Sequence, residues 1–329
     1  MNISSVLEGM KKMEFCDLCG NDEFKFLFLG HDRMYNIKGD YSVYKCTKCG
    51  LFFINPQPIE EEIGKHYPPH KYYSLETMPS YKRKLLPLLY KTFYSNKGNS
   101  ALKLFFFPIL PMLRFTKIFP RRKILDVGCG AGNFLIIMKY FNMDCYGVEP
   151  GKFDELAAKR NNLEIKNCSF LEADYQENFF DIITLNHVFE HSNCPTETLK
   201  KINRLLKPEG TLIMTVPRSD CLVYNIFGQD WVQLDVPRHL FTFQEKTIKK
   251  YAKKAGFRIE KIRYNSTSFQ FLGSFFYRKN RGKERYLSDK NFVKNPLLVF
   301  FLTPFAYICN LLKIGDQIEV ILIKSKYPA

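Results

Sequence analysis

Long apolar runs are missing from this 329-residue sequence. The longest, residues 296–309, is shorter than the ~20 residues that a membrane-spanning helix needs, and Pro304 interrupts it. Residues 1–15 also contain no apolar stretch long enough for a secretory signal. We therefore expect a cytoplasmic protein without a transmembrane helix.

Acidic residues are scarce, since 33 Asp and Glu stand against 49 Lys and Arg and give a formal charge of +16. The excess comes from two segments: residues 77–125 contain eleven bases and no acid, and residues 278–294 contain seven bases and two acids. Such an excess favours a polyanionic partner, either nucleic acid, an anionic membrane surface or a phosphorylated substrate.

Each basic segment contains or adjoins an apolar run, at residues 104–119 and 296–312. Basic residues beside a short apolar helix are typical of proteins that lie on an anionic membrane surface. We therefore expect peripheral contact with the inner face of a membrane. The alternative is that both segments pack on the core and expose solvated basic faces.

The dense cysteine spacing of a secreted disulfide scaffold is also absent. Six of the ten cysteines are isolated and are expected to be reduced and mostly buried: Cys129, Cys145, Cys168, Cys194, Cys221 and Cys309. The other four form two C-x-x-C pairs, Cys16 with Cys19 and Cys46 with Cys49. This spacing is typical of tetrahedral Zn²⁺, and four thiolates leave no open position, which predicts a structural ion. The alternative is two redox-active or unliganded pairs.

Between residue 123 and about residue 261, short apolar runs alternate with helical patterns. Strands are predicted at residues 124–127, 145–148, 181–185 and 211–216, and helices at residues 133–141, 153–161, 196–206 and 246–255. A last strand is predicted at residues 317–324. This alternation predicts an α/β fold with a doubly wound, mainly parallel sheet.

Three segments are predicted along the chain. Residues 1–76 form a zinc-binding module of short aromatic strands with a Pro- and Tyr-rich connector. Residues 77–122 form the basic and apolar lead-in, and residues 123–329 form the main domain, with a basic and apolar insertion at about residues 273–315.

A glycine loop follows the first predicted strand of the main domain. Gly128, Gly130 and Gly132 allow a tight turn and the close approach of a ligand to the backbone, and the amides at the following helix start face an anionic group. Glu149 ends the next predicted strand, where a ribose hydroxyl pair is held in folds of this kind.

The dinucleotide-binding fingerprint fails, because Asn133 stands where its third glycine belongs. Asp126, two positions before the first glycine, suits a ligand that carries a cation better than a pyrophosphate. The ligand that fits is S-adenosylmethionine, which combines an amino-acid end, a sulfonium and an adenosine.

The chain resembles class I S-adenosylmethionine-dependent methyltransferases over roughly residues 123–265. Five elements occur in order, at residues 125–132, 147–149, 180–191, 205–214 and 255–257. The resemblance implies a Rossmann-like, doubly wound sheet of seven strands. The alternative, a plain strand–helix turn beside a surface acid, leaves the later elements unexplained.

The resemblance also implies a set of cofactor contacts. Asp126 and the glycine loop would line the methionine part, Glu149 would take the ribose hydroxyls, and Asn186 and His187 would lie beside the reactive methyl group. Residues 169–171 would flank the adenine. The implied cofactor-binding residues are Asp126, Gly128, Cys129, Gly130, Gly132, Glu149, Phe170, Asn186 and His187.

A looser resemblance covers residues 14–75. Sugar C-methyltransferases and related bacterial glycan-tailoring enzymes carry a similar four-cysteine domain ahead of the methyltransferase domain. In that architecture the zinc module and the tyrosines after it help to close the active site, which implicates Tyr72 and Tyr73 here. Two adjacent tyrosines could equally be packing residues.

Histidines are the expected source of a catalytic base, because a hydroxyl or carbon-acid acceptor needs a base near pH 7. His187, His191 and His239 lie in the relevant loops. Sugar C-methyltransferases carry a histidine at the places of His191 and His239. We expect His239 to be the base, His191 to be second in order, and Tyr73 to act with them. For each histidine the alternative is a hydrogen-bonded loop residue.

Two further residues are expected to contact the acceptor, together with Tyr72. Arg238 occupies a position at which the sugar C-methyltransferases carry glutamate, which disfavours their carbon-acid mechanism. Arginine there suits a phosphate or carboxylate on the acceptor. Trp231 is expected in the wall of the acceptor site, although core packing also explains a single Trp.

The preferred function is methylation of a small-molecule, glycan or lipid-linked acceptor, in surface-polysaccharide or related biosynthesis. An RNA methyltransferase is the first alternative, but residues 186–189, Asn-His-Val-Phe, stand where such enzymes carry an N-P-P-Y-type tetrad. A non-enzymatic zinc-binding adaptor is the second, and the intact Asp126, glycines and Glu149 argue against it. The acceptor, the methylated atom and the oligomeric state stay open.

Overall fold

The computed structural model describes residues 9–67, 79–94, 103, 113, 121–151, 153, 155–283, 287 and 295–325. The strands are β1 (Met10–Lys11), β2 (Phe24–His31), β3 (Asp40–Cys46), β4 (Phe52–Ile54), β5 (Gln57–Pro58), β6 (Lys123–Val127), β7 (Asp144–Val148), β8 (Glu164–Lys166), β9 (Phe180–Asn186), β10 (Leu206–Pro217), β11 (Phe241–Thr242), β12 (Phe257–Tyr264) and β13 (Gln317–Lys324). The α-helices are α1 (Glu60–Ile63), α2 (Ser80–Tyr94), α3 (Asn133–Tyr140), α4 (Glu155–Arg160), α5 (Pro195–Leu205), α6 (Leu222–Phe227), α7 (Glu245–Lys254), α8 (Phe269–Lys279) and α9 (Pro296–Leu311).

The main sheet has seven strands in the order β12-β13-β10-β9-β6-β7-β8. The strands from β10 to β8 are parallel, whereas β13 runs antiparallel to both β10 and β12. Strand β9 is buried along almost its whole length, as expected for a central parallel strand covered on both faces. The predicted α/β fold with a seven-stranded methyltransferase-type sheet is confirmed.

The carboxyl ends of β6, β7, β9 and β10 meet at one edge of this sheet, because these strands are parallel neighbours. The loops that follow them therefore converge there, and this is the edge at which open α/β sheets bind ligands. The glycine loop follows β6, Glu149 follows β7, and His187 follows β9.

A second sheet of four antiparallel strands has the order β11-β4-β3-β2. Three of its strands come from the cysteine-containing segment, but β11 comes from residues 241–242, where Phe241 pairs with Phe53. Buried side chains from both segments also form one apolar cluster, in which Leu51 and Phe53 join Leu125 of the main sheet. The small sheet is therefore built jointly by the N-terminal segment and the main domain.

Helices α8 and α9 lie between β12 and β13, in the region of the predicted insertion. They contact each other. None of the helices within the described ranges combines the length and the apolarity that a membrane crossing requires.

Candidate functional site

The glycine loop between β6 and α3 packs too tightly for side chains. Gly128 and Gly132 have φ angles of 65° and 73°, in the left-handed region that favours glycine. A Cβ atom on Gly128 would lie 2.5 Å from Val188 Cγ2, and one on Gly132 would lie 2.6 Å from Leu163 Cδ1. The backbone is consequently the surface that this loop offers to a ligand.

Glu149 connects the glycine loop to the end of β7. Its Oε2 accepts a hydrogen bond from Gly130 N at 2.8 Å, and its Oε1 accepts one from Gly151 N at 2.8 Å. Burial raises the pKa of Glu149, although the two backbone N–H groups oppose that shift. A half-buried carboxylate with further acceptor capacity beside a bare backbone loop fits the ribose and methionine ends of S-adenosylmethionine.

Asp126 is fully buried, and its Oδ1 accepts a hydrogen bond from Thr184 Oγ1 at 2.6 Å. Cys129 is buried in the glycine loop next to Gly147. Phe170 packs against the core, and the Lys201 ammonium lies 5.3 Å from its ring centroid. The structure thus places these predicted cofactor residues around the ends of the central strands, and their contacts with the cofactor stay a prediction.

Asn186 and His187 lie where β9 ends. His187 adopts a φ of 54°, and its backbone N–H donates to Thr215 O at 3.0 Å. Its Nδ1 lies 3.2 Å from Glu190 Oε1. The left-handed turn therefore directs the His187 ring towards a buried carboxylate.

Glu190 is the centre of a group of three histidines, His187, His191 and His239. It is fully buried, and its Oε1 also lies 3.8 Å from His239 Nε2. Burial would raise the pKa of Glu190, but the hydrogen bond and charge of His187, with His239 and His191, bring it below its ordinary value. Within the described residues Oε2 has no hydrogen-bond partner, so this buried carboxylate has an unused acceptor.

His239 is buried, and its hydrogen bond fixes its tautomer. Its Nδ1 lies 2.7 Å from the Gln233 carbonyl oxygen. A carbonyl only accepts, so Nδ1 carries a proton, and in the neutral ring the lone pair is on Nε2. Nε2 lies 3.9 Å from Asp235 Oδ2, in addition to its approach to Glu190. This nitrogen is placed to accept a proton and to have the resulting charge balanced by carboxylates.

His191 has a different environment, although its ring centroid is only 4.8 Å from that of His239. Its Nδ1 lies 2.9 Å from both the Arg238 carbonyl oxygen and the Tyr67 hydroxyl. Burial, followed by the neighbouring His239, lowers the pKa of His191 to about 4. His191 is therefore neutral at physiological pH and a weaker base than an ordinary histidine.

Residues 101–262 match the family model described as "Methyltransferase domain". The chain contains a class I S-adenosylmethionine-dependent methyltransferase domain. Similar proteins include an uncharacterized protein of Methanocaldococcus jannaschii, 30% identical over 122 residues, with 37% of this chain and 52% of that protein covered. The ubiquinone biosynthesis O-methyltransferase of Pseudomonas aeruginosa is 23% identical over 158 residues, with 43% and 66% covered.

The chain spans between about half and two thirds of the length of these two relatives. A third, the glycine/sarcosine/dimethylglycine N-methyltransferase of Actinopolyspora halophila, is 28% identical over 126 residues, with 34% of this chain and 21% of that protein covered. Among solved structures, a SAM-dependent methyltransferase from Archaeoglobus fulgidus is 18% identical with a TM-score of 0.42, and the match covers 72% of this chain and 98% of that one.

Arg238 of the methyltransferase domain is buried and bound by two carboxylates. Its guanidinium donates to Asp32 at 2.9 and 3.0 Å and to Asp235 at 2.6 and 2.9 Å. Burial would lower the pKa of Arg238, but these two acids raise it. The expected contact with an anionic acceptor is not supported, because Asp32 of the N-terminal segment and Asp235 already balance the charge.

Trp231 has no exposed surface, and its Nε1 donates to Asp316 Oδ2 at 3.1 Å. Trp231 is therefore a core residue and does not form the expected wall of an acceptor site. Tyr72 and Tyr73 lie outside the described residues.

Tyr67, Glu190 and Asp235 were missed by the sequence reasoning. Tyr67 belongs to the same connector as the predicted tyrosines, and burial raises its pKa, so it is a neutral phenol beside His191. The Glu-His pair at 190–191 was a signal for Glu190. No local pattern pointed to Tyr67 or Asp235.

The four cysteines of the N-terminal segment form one cluster, with all four Sγ atoms within 4.8 Å of one another. Cys16 Sγ lies 3.5 Å from Cys49 Sγ, and Cys19 Sγ lies 3.6 Å from Cys46 Sγ. Four sulfurs bound tetrahedrally to Zn²⁺ at ~2.3 Å would be separated by about 3.8 Å. The donor set therefore fits the predicted ion without rearrangement of the two pairs.

Proposed function

We propose that this protein is a methyltransferase that uses S-adenosylmethionine to methylate a small-molecule, glycan or lipid-linked acceptor in surface-polysaccharide or related biosynthesis. One observation carries the proposal: the bare glycine loop held by Glu149 lies at the same sheet edge as His239, whose Nδ1 is bound to a carbonyl and whose Nε2 faces two carboxylates. The four-cysteine module at the N-terminus supports the glycan or lipid-linked choice of acceptor.

The residues that would hold the cofactor are the glycine loop and Glu149, with Asp126, Cys129, Phe170, Asn186 and His187 around them. When bound, S-adenosylmethionine supplies an electrophilic methyl group on a sulfonium. The loop offers a backbone surface that a ligand can approach closely, and the Glu149 carboxylate oxygens, each of which accepts one backbone N–H, keep acceptor capacity for a hydroxyl pair.

His239 is the proposed base. An acceptor hydroxyl would give its proton to Nε2, because Nδ1 is already protonated against the Gln233 carbonyl. The imidazolium formed would face Glu190 at 3.8 Å and Asp235 at 3.9 Å, and both carboxylates stabilise it. His191, with its low pKa, would orient Tyr67 and serve as base only in second place. Tyr73 stays a predicted partner of these groups, and Tyr72 a predicted acceptor contact.

A structural Zn²⁺ is proposed for Cys16, Cys19, Cys46 and Cys49. A hydrogen bond from Cys16 lowers the pKa of the Cys49 thiol to about 5, so a thiolate is available to the metal at neutral pH. Four protein ligands would close the coordination, and the ion would take no part in methyl transfer.

The test combines binding with transfer. Calorimetry should show S-adenosylmethionine binding by the wild type, and Glu149→Ala should lose it, whereas Glu177→Ala, at an exposed glutamate away from the predicted cofactor residues, should retain it. Tritiated methyl groups should then pass to lipid or sugar fractions of a cell extract. Transfer into RNA would overturn the acceptor class, and tight binding without transfer to any fraction would favour the adaptor.

A further inference from the structure

Helix α9 exposes an apolar face to solvent. Its exposed positions follow helical spacing, and the α9 face consists of Leu297, Phe300, Phe301, Pro304, Phe305, Ile308, Leu311 and Leu312. Leu311 is 79% exposed and Phe300 is 73% exposed, while Ala306 and Cys309 on the opposite side are buried. A helix that is apolar on nearly every side is normally buried, so this exposed face needs a partner outside the described residues.

The end of α9 is fixed to the body of the protein. The Asn310 side chain exchanges two hydrogen bonds of 2.9 Å with the backbone of Ser266. Arg218 donates to the Lys313 carbonyl oxygen at 2.9 Å, and Leu222 N donates to Ile314 O at 2.9 Å. These contacts hold the apolar face outward.

Basic side chains outnumber acidic ones along α8 and α9; the acid nearest to Lys313 in the described contacts is Asp220, which pairs with Arg218. No Asp or Glu occurs in residues 269–283 or 295–315. Helix α8 contacts α9, and exposed lysines lie near both of its ends. Lys313 is near the N-terminal end, because Asn310, three residues before it, is bonded to Ser266. Lys279 and Lys283 lie at the C-terminal end. We call these three lysines the basic rim. Arg278 and Arg281 are not counted in it, because they pair with the buried Asp230.

We propose that the α9 face and its basic rim bind an anionic phospholipid bilayer. A face without a polar side chain can enter the acyl region, while the ammonium groups of Lys313 after α9 and of Lys279 and Lys283 at the end of the neighbouring α8 meet anionic headgroups. A protein partner would be expected to bring a polar rim of both signs and direct hydrogen bonds. The inference does not depend on which acceptor is methylated.

The bilayer contact would also position the active site. Helix α9 leads into Gln317, which pairs with Pro217 at the carboxyl end of β10. That edge of the sheet also carries Asn186 and the histidines around Glu190. A membrane bound at α9 would therefore lie on the side of the molecule to which a lipid-linked acceptor would have to come.

Flotation with phosphatidylcholine vesicles, with and without phosphatidylglycerol, tests the proposal on the full chain. We expect binding to the anionic vesicles that weakens in high salt. The triple variant Phe300→Ser, Phe301→Ser and Phe305→Ser should lower the partition coefficient roughly 100-fold, because each Phe loses much of its transfer free energy. Its matched control is Tyr140→Ser with Leu156→Ser, which removes equally exposed apolar side chains on α3 and α4 and should leave binding unchanged.

Charge reversal of the basic rim tests the proposal independently of the Phe variant. Lys279→Glu, Lys283→Glu and Lys313→Glu together should weaken binding to anionic vesicles about 100-fold at low salt. The same number of reversals at the exposed Lys250, Lys253 and Lys261 should have a much smaller effect. Because these are surface changes, this arm still decides the matter if the Phe variant fails to fold.

A fluorescence measurement locates the contact. Phe301→Trp adds one exposed Trp to the buried Trp231, and brominated lipids in anionic vesicles should quench its emission, whereas Tyr140→Trp should not be quenched. Absence of vesicle binding by the wild type, or binding that the Phe variant leaves intact, would overturn the proposal. So would a dimer in solution that the Phe variant converts to monomer, since α9 would then bind a second copy.

Discussion

At the scale of single residues, hydrogen bonds and burial give the two neighbouring histidines of the site different strengths as bases. His239 has Nδ1 against the Gln233 carbonyl and Nε2 near two carboxylates. His191 is held between the Arg238 carbonyl and Tyr67, with a pKa of about 4. The sequence could name both histidines as candidates, but their order as bases follows from these distant partners.

The role of His239 predicts a specific loss. His239→Gln should lower kcat for a hydroxyl acceptor by ~10²–10⁴, the usual contribution of a general base, because glutamine cannot take up the proton. The affinity for S-adenosylmethionine should stay within about twofold of the wild type, since the glycine loop and Glu149 are untouched. Single-turnover methyl transfer and calorimetry measure the two quantities.

His31→Gln is the matched control, because His31 is exposed at the end of β2, in the small sheet. It should leave both quantities unchanged. Wild-type turnover in His239→Gln would move the base to His191, and His191→Gln would then carry the loss.

Asp316 predicts a pH dependence of stability. It is buried beneath Trp231, and burial raises its pKa to about 6 in spite of the Trp231 and Ser266 hydrogen bonds. Because this folded-state pKa exceeds the unfolded value near 4, the native protein holds the proton more firmly. This carboxyl therefore lowers the free energy of unfolding as pH rises from about 4 to 6, by up to ~3 kcal/mol.

Asp316→Asn should remove that pH dependence and gain stability over the wild type progressively between about pH 4 and pH 7. Urea unfolding at several pH values measures the difference, with the exposed Asp22→Asn as control. A difference between wild type and Asp316→Asn that does not change over this range would contradict the assignment.

At the scale of elements, the predicted strands and helices of the main domain occur because their apolar patterns are local, whereas the three-residue β8 and helices α8 and α9 were not predicted. The last strand occurs at residues 317–324 as predicted, and the first helix differs by one residue, ending at Tyr140. Strand β11 was not predicted, since two residues carry no periodicity and its partner β4 is far away in sequence. The same reason explains why the Arg238–Asp32 ion pair was missed.

The cysteine cluster predicts that the contacts between the N-terminal segment and the main domain depend on a bound metal ion. Asp17, between the first two cysteines, accepts hydrogen bonds from Thr196 at 2.7 Å and Tyr251 at 2.8 Å. Loss of a zinc ligand should therefore disturb α5 and α7 as well as the small sheet. We expect one zinc ion per chain by elemental analysis, and we expect Cys46→Ser to lose the ion and lower Tm.

Cys194→Ser, at an isolated half-buried cysteine, should retain the zinc. Full metal content in Cys46→Ser, or a metal-free wild type that binds no added Zn²⁺, would refute the structural ion.

At the scale of the whole molecule, the positive charge resolves into a basic rim beside α9, ion pairs at Asp230, and bases in residues 77–122. The sequence located this charge, but only the folded structure separates the exposed lysines of the rim, which form no ion pair with another described residue, from Arg278 and Arg281. The same distinction applies to Arg238, whose charge is internal. The net charge alone therefore indicated an anionic partner, but it did not indicate which surface of the protein would bind that partner.

The shared core predicts that the described parts of the molecule unfold together. Phe53 of the small sheet, Leu125 of β6 and Val320 of β13 belong to one buried cluster, and Arg238 joins Asp32 to the loop before His239. A ligand that binds only the native state raises the free energy of unfolding by ~2.7 kcal/mol at a concentration 100 times its Kd. S-adenosylmethionine bound at the glycine loop should therefore raise the Tm of a single calorimetric transition, and a zinc chelator should lower the Tm of that same transition. Glu149→Ala should abolish the first shift and keep the second. Two separate transitions, one responding to each treatment, would show that the cysteine module and the methyltransferase domain are energetically independent in spite of their common core.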